Sequence, residues 1–251
     1  MKRFTAILLI FIWISCGCSS TEEPEVPDIN REDITAALTE KGVPESFLQN
    51  LELTDLTVMY EDMNGMELGT VKLAETAPEN LQLSILAVPV SCAWKKDNTV
   101  YDCIRVYGTY TWNNSGLTMP REDEIKLSWN EDHLLLADHS SKAPNKVTRS
   151  YKGNAEGNKM KCHYDEPSFA HIGQGDAGWF HPIKADAGKH MQKGFFSLIL
   201  LPTYTPTQVL PVDSIEMTES EIELEYIVHY FGIQAEETYS ISAEAELYIP
   251  E

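Results

Sequence analysis

Positive charge is scarce in this sequence: 19 Lys and Arg stand against 39 Asp and Glu over 251 residues, a formal charge of −20. Phosphate backbones are held through a basic footprint, so nucleic acid is excluded as a partner and anionic lipid surfaces are disfavoured. Long apolar runs are lacking too. After the eleven-residue stretch at positions 4–14, no segment approaches the roughly 20 residues that a membrane-spanning helix needs. Catalytic signatures are missing as well, with no GxSxG, Walker A loop, dinucleotide fingerprint, CxxC pair or zincin helix. No catalytic residue and no cofactor is therefore nominated, and the expectation is a protein that is not an enzyme. No repeat of fixed period is visible, which argues against a propeller or solenoid.

What is present begins with an address. Lys2 and Arg3 precede the apolar stretch, in the order of a signal peptide. Cys16 and Cys18 come next, each after a small residue, Ser15 and Gly17. This arrangement resembles the lipobox of bacterial lipoproteins, whose cysteine thiol is diacylglycerated before the peptide is cut in front of it. Gly17 favours Cys18 as the modified residue, with Cys16 as the alternative. Both lack the aliphatic residue usual three positions upstream, where Ser15 and Trp13 stand instead.

The resemblance implies a signal peptide over residues 1–17, a lipid anchor in the cell membrane and a domain on the extracytoplasmic face. Two acyl chains, at ~0.8 kcal/mol per buried methylene, hold stably where one does not. Residues 18–29 are acidic and twice broken by proline, and read as a disordered tether. Two of the 19 basic residues leave with the signal, so 17 face 39 acidic ones, a formal charge of −22 in the mature chain.

Residues 30–65 carry helix punctuation. Asn30 suits an N-cap, Gly42 a C-cap, Pro44 the first turn of a second helix, and Thr54 the cap of a third, with Leu53 and Val58 as its staple. Leu38, Phe47, Leu51, Leu56 and Met59 form an apolar set too small to be stable alone, so this unit is expected to pack on the segments C-terminal to it. Over residues 66–251 the period changes to two, in about ten short β-branched and aromatic segments divided by turn clusters. The expected fold is mainly β, an antiparallel β-sandwich or open barrel preceded by a small N-terminal helical unit. The last two segments form the clearest hairpin. Leu224, Tyr226, Val228 and Tyr230 alternate on one strand and Tyr239, Ile241, Ala243, Ala245, Leu247 and Ile249 on the other, with Glu223, Glu225, Glu244 and Glu246 on a wet opposite face.

Cys92, Cys103 and Cys162 remain once the anchor cysteines are set aside, which allows one intrachain bridge at most. Asp97 and Asn98 form a turn that places Cys92 opposite Cys103 in a hairpin, so a Cys92–Cys103 disulfide competes with two buried thiols. His163, His171 and His181, with nearby carboxylates, are weak candidates for a zinc or manganese site. Their spacings of eight and ten residues match no ligand signature.

The acidic residues invite an alternative, an envelope glycan hydrolase with paired carboxylates. Wet-face glutamates explain Glu223, Glu225, Glu244 and Glu246 without catalysis. Trp112, Trp129, Trp179, Tyr107 and Tyr110 read first as core and second as a ligand groove. The best candidate for a ligand loop spans residues 169–182, with Gly173 and Gly175 beside Trp179 and Phe180, competing with a plain Gly-rich connection.

VYGTYTWNN, IKLSW, FAHIGQGDAGWF and KGFFSLIL, with KGVPESFLQNL ahead of them, resemble uncharacterised secreted proteins of Gram-positive bacteria, some grouped with geobacillin-type large bacteriocins. That resemblance implies a secreted β-rich fold and a bacteriocin-related or immunity role, and carries over no catalytic residue. The leading expectation is a noncatalytic surface lipoprotein with a protein or envelope ligand as partner.

Mass spectrometry of the mature N-terminal peptide is expected to show a diacylglyceryl group on Cys18. An unlipidated terminus overturns the address.

Overall fold

Gly42 ends the first helix, α1 (Arg31–Glu40), as its position in the sequence predicts. It adopts φ 91°, open to glycine at no steric cost. Its N–H donates to Thr39 O (2.9 Å) and the Val43 N–H to Leu38 O (3.1 Å), so the last carbonyls of the helix are satisfied while Leu38 and Val43 are buried together. Pro44, at φ −63°, leads into α2 (Glu45–Gln49), which buries Phe47 and Leu48. The third helix, α3 (Leu53–Met63), buries Leu56, Met59 and Met63.

The N-cap of α3 is Glu52 and not Thr54, because Glu52 O already accepts from the Asp55 and Leu56 N–H groups at 3.0 Å. Arg31 ties the helices together. Its guanidinium donates to Leu51 O (2.9 Å) and Leu48 O (3.2 Å), at and just beyond the C-terminal end of α2, where a cation is favoured.

The computed structural model describes residues 30–76, 81–96, 99–114, 121–137, 147–154, 161–165, 171–183, 190–203, 215–229 and 236–250. Beyond the helices these fold into two antiparallel sheets. In the first, β1 (Lys72–Thr76), β2 (Leu81–Lys96), β3 (Thr99–Asn114), β10 (His190–Pro202), β6 (Val147–Asn154) and β7 (Lys161–Asp165) lie in that order. With β5 (Leu134–Leu136) also paired to β10, this sheet has seven strands. The second has five, in the order β12 (Glu236–Pro250), β11 (Ile215–His229), β4 (Arg121–Trp129), β9 (Asp176–Ile183) and β8 (His171–Ile172). The fold is mainly β, as expected, and the two sheets stack as a sandwich. Leu83, Ile85, Val106 and Leu198 of the first sheet share one core with Leu127, Ile222, Leu224 and Tyr226 of the second. Among the described residues neither sheet closes into a barrel.

The opposite face of the seven-stranded sheet is also dry. Leu86, Val88, Tyr107 and Phe195 have the other parity along their strands and are buried as fully as the inward set. The Tyr107 hydroxyl donates to Asp62 Oδ2 of α3 (3.1 Å), and Lys193 of β10 donates to Asn50 O (3.2 Å) and pairs with Glu52, so the helical unit covers this face.

Two segments differ from the pattern read in the sequence. The run 169–182, read as a loop, holds β8 and all of β9 but its last residue, because β4 supplies a full ladder from Arg121↔Ile183 to Ser128↔Asp176. In the β2–β3 hairpin, Cys103 stands opposite Val90 and not Cys92. Lys96↔Thr99 sets one register at the turn, and a bulge between Val90 and Trp94 shifts it, so three residues of β2 face one of β3. Cys103 is a free, buried thiol, and the Cys92 side chain lies outside the described residues.

Two glycines in the core meet aromatic rings across the ladder. Gly108↔Phe196 and Tyr110↔Gly194 are reciprocal pairs on β3 and β10, and each ring lies over the glycine opposite it. A Cβ at Gly108 would fall 1.7 Å from Phe196 Cζ. Phe196 is 1% exposed, so its ring is enclosed by the core. Gly108→Ala is therefore expected to destabilise the domain by about 1–3 kcal/mol in urea denaturation through overpacking. An unchanged midpoint would show that the ring relocates freely.

Candidate functional site

The candidate residues fall into four places. Gly173 and Gly175 lie in the tight turn between β8 and β9, while Trp179 and Phe180 belong to β9, opposite Ile125 and Glu124 of β4. The ligand loop thus shrinks to the turn itself. His163 lies in β7 of the seven-stranded sheet, whereas His171 and His181 lie in β8 and β9 of the other, so the backbone does not gather the three on one sheet. Their side chains, like those of Trp179 and Phe180, lie outside the described residues, as do Cys16 and Cys18 altogether.

Four of the five aromatic residues read first as core belong to it, and the Trp179 side chain lies outside the described residues. Tyr107, Tyr110 and Trp129 are buried, and Trp112 packs against the core cluster, its ring stacked on Tyr226 at 6.2 Å and edge-on to Tyr239 at 6.5 Å. One polar member of this cluster escaped the sequence reading. Asp123, in the charged run that opens β4, is 0% exposed and accepts the Tyr226 hydroxyl at 2.8 Å. The signal that finds it is parity: Asp123 shares the inward face of β4 with Ile125 and Leu127.

A second polar cluster sits between α3 and the seven-stranded sheet. Arg105 Nη1 pairs with Asp62 Oδ1 at 2.9 Å, and Tyr107 donates to the other carboxylate oxygen. Burial raises the Asp62 carboxyl above the ordinary range, with Arg105 and the Tyr107 hydrogen bond opposing it. Burial also pushes the Cys103 thiol up to about 12, so it stays protonated and unreactive. Tyr107 is raised well above its ordinary value by the same cause. Covered by the helical unit, this cluster fastens one layer to the next and offers no site for a substrate.

The wet face of the five-stranded sheet is acidic, as the alternation requires. Glu219↔Glu246 and Glu221↔Glu244 are directly opposite like charges on β11 and β12, a destabilising arrangement. Lys72 relieves the first pair, at 4.0 Å from Glu219 and 3.4 Å from Glu246. Lys126 lies 3.2 Å from Glu225 and 4.0 Å from Asp176, and its hydrogen bond to Glu225 raises its affinity for the proton. The carboxylates are strung along an open sheet face. Among the described residues no group of three or more His, Cys, Asp or Glu could hold a metal ion.

Among the described strands the ladder between β4 and β11 is incomplete. β4 pairs with β11 from Ile227↔Glu124 to Ile222↔Trp129 and then turns away, so among the described strands residues 215–221 of β11 have only β12 beside them. The turn is fixed by its own bonds. Asn130 O accepts from the His133 and Leu134 N–H groups, Asn130 Oδ1 accepts the Asp132 N–H at 3.0 Å, and the chain continues as β5 in the other sheet.

Here an open cleft of about 370 Å³ lies among Ser128, Trp129, Asn130, Glu219, Ser220, Glu221 and Glu223. The Trp129 Nε1–H and the Ser220 hydroxyl are buried and have no hydrogen-bond partner among the described residues, although Trp129 and Ser220 are only 6% and 1% exposed. The glycine turn buttresses this corner. Gly175 O accepts the Trp129 N–H at 2.8 Å, and a Cβ at Gly175 would stand 2.9 Å from Trp129 O. A second cleft, of about 470 Å³, lies between α1 and α2 beside Arg31, Thr35, Glu45 and Gln49. The cation that lines it, Arg31, is already committed to the α2 carbonyls.

No family model matches the sequence, and no curated protein matches it at a significant level. Among solved structures, the Clostridium perfringens NetB toxin in its membrane-inserted form is similar at a TM-score of 0.29 and 9% identity, over 72% of this chain and 99% of that one. A pore-forming protein is similar at 0.26 and 8%, over 74% and 94%. Scores this low carry no argument about fold or activity.

The Asp62 cluster gives a pH signature. A carboxyl raised on folding contributes stability that is full below its unfolded value of about 3.9 and is lost as pH rises through its folded value. Asp62→Asn, which keeps an acceptor for Tyr107, is expected to flatten this part of the curve in urea denaturation followed from acid to neutral pH. Equal slopes for the two proteins would show that Asp62 does not titrate differently on folding.

Proposed function

We propose that this chain is a cell-surface lipoprotein whose β-sandwich is a noncatalytic binding module, held off the membrane by its acidic tether. The observation that carries the reading is the order of features at the N-terminus: cationic start, short apolar run, small residue with Cys18, then a proline-broken acidic spacer. The domain's layout supports it. Its glutamates alternate outward along β11 and β12 on one open face of the sheet. A glycosidase needs two carboxylates on either side of one bond. An open ladder of acids on one face suits recognition instead, by charge and by strand edge.

Cross-linking on intact cells, then affinity purification of the full-length protein, is expected to retain an envelope component. The purified protein is expected to release no sugar from isolated envelope. Release of sugar by wild type that disappears in Glu223→Gln or Glu225→Gln would replace the binding module with an enzyme.

A further inference from the structure

The cleft at the end of β4 has the form of a vacated strand position. β11 is fifteen residues long and pairs with β12 throughout. On its other side β4 covers it only from Ile222 to Ile227. Among the described strands, the line that β4 abandons at Trp129 therefore stays open beside Glu221, Ser220, Glu219 and the residues before them. Backbone donors and acceptors along such an edge are a template for an added strand.

The side chains around the gap specify what the added strand carries. A residue of an incoming strand opposite Ser220 faces the core and stands one step along the same face from Trp129, which is itself opposite Ile222. Trp129 and Ser220 carry the two buried polar groups that lack a partner among the described residues, the indole N–H and the hydroxyl. Burying such groups unsatisfied is costly, and a small hydroxyl or amide side chain at that point would accept from the indole and bond the serine. Its neighbours in the added strand point the other way, onto the face of Glu219 and Glu221. Among the described residues Glu221 and Glu223 have no ion pair, and Glu221 is opposed by Glu244. Cross-strand cations relieve that repulsion.

We propose that this notch binds an extended basic peptide segment of a partner protein, one that alternates Lys or Arg with small polar residues and joins the five-stranded sheet in line with β4. The proposal rests on the binding-module reading and names its partner. A second copy of this chain is a poor occupant at a formal charge of −20, and a single metal ion is poorly served by acids spaced along a strand.

The test uses the full chain in detergent and an end-capped eight-residue peptide of alternating lysine and threonine. Calorimetry is expected to show saturable binding, weakened at least tenfold by Glu221→Lys and abolished when alternate peptide nitrogens are methylated to block strand pairing. The Trp129 indole N–H resonance is expected to move on binding. Ser220→Ala is expected to raise the Tm of the free protein, by removing an unsatisfied group, while weakening the peptide, a pair of effects that simple misfolding cannot produce.

Binding that survives methylation or Glu221→Lys would reduce the interaction to diffuse charge and overturn the proposal. So would a chito-oligosaccharide shifting the Trp129 resonance where the peptide does not. Capture of the same envelope partner from intact cells by wild type and Glu221→Lys would sink the notch and leave the binding module standing. Capture of nothing by either protein would sink both.

Discussion

Burial of the seven-stranded sheet on both faces is the constraint on which the rest of the architecture depends. A sheet that packs on another sheet needs one apolar face, and this one has two, because Leu86, Val88, Tyr107 and Phe195 are as dry as Leu83, Ile85, Val106 and Phe196. The second face must be covered, and α1, α2 and α3 cover it. Neither layer is complete without the other. The helical unit is too small to hold a core of its own, and the sheet without it would expose an apolar patch large enough to promote association.

Covering that face brings polar groups into a low-dielectric layer, and the molecule handles them by pairing. Asp62 meets Arg105 and Tyr107, and Lys193 meets Glu52 and the Asn50 carbonyl. Such pairs add little to stability beyond their own desolvation, but one orientation of the helices satisfies them and others leave buried charge unpaired. They act as a register between layers. The reciprocal pairs of glycine and aromatic ring on β3 and β10 do the same within the core, since each ring fits only over the residue that has no side chain.

The notch beside β11 is a by-product of the same demand for burial. Leu134 and Leu136 are needed in the core from the side of β10, so the chain leaves the five-stranded sheet after Trp129 and crosses to the other as β5. Among the described strands that crossing leaves residues 215–221 of β11 with β12 alone beside them. The strand edge, the Trp129 and Ser220 groups that lack a partner among the described residues, and the like-charged pair Glu221↔Glu244 coincide at one corner, which the Gly175 turn buttresses.

The alternation of residue types by itself determined the hairpin of β11 and β12 with its wet and dry faces, because a period of two leaves each side chain only one choice of face. It also determined the end of α1 at Gly42, where backbone geometry is a property of the residue. It did not determine the partners of the other strands. The bulge in β2 that moves Cys103 opposite Val90, the strand hidden in the glycine-rich run, and the placing of His163 on a different sheet from His171 and His181 all depend on ladders between segments distant in the chain. Asp123 is legible by parity, since it shares the inward face of β4 with Ile125 and Leu127, although charge usually marks solvent. The notch could not be read at all, since it consists of where β4 stops relative to β11, and only tertiary packing fixes that.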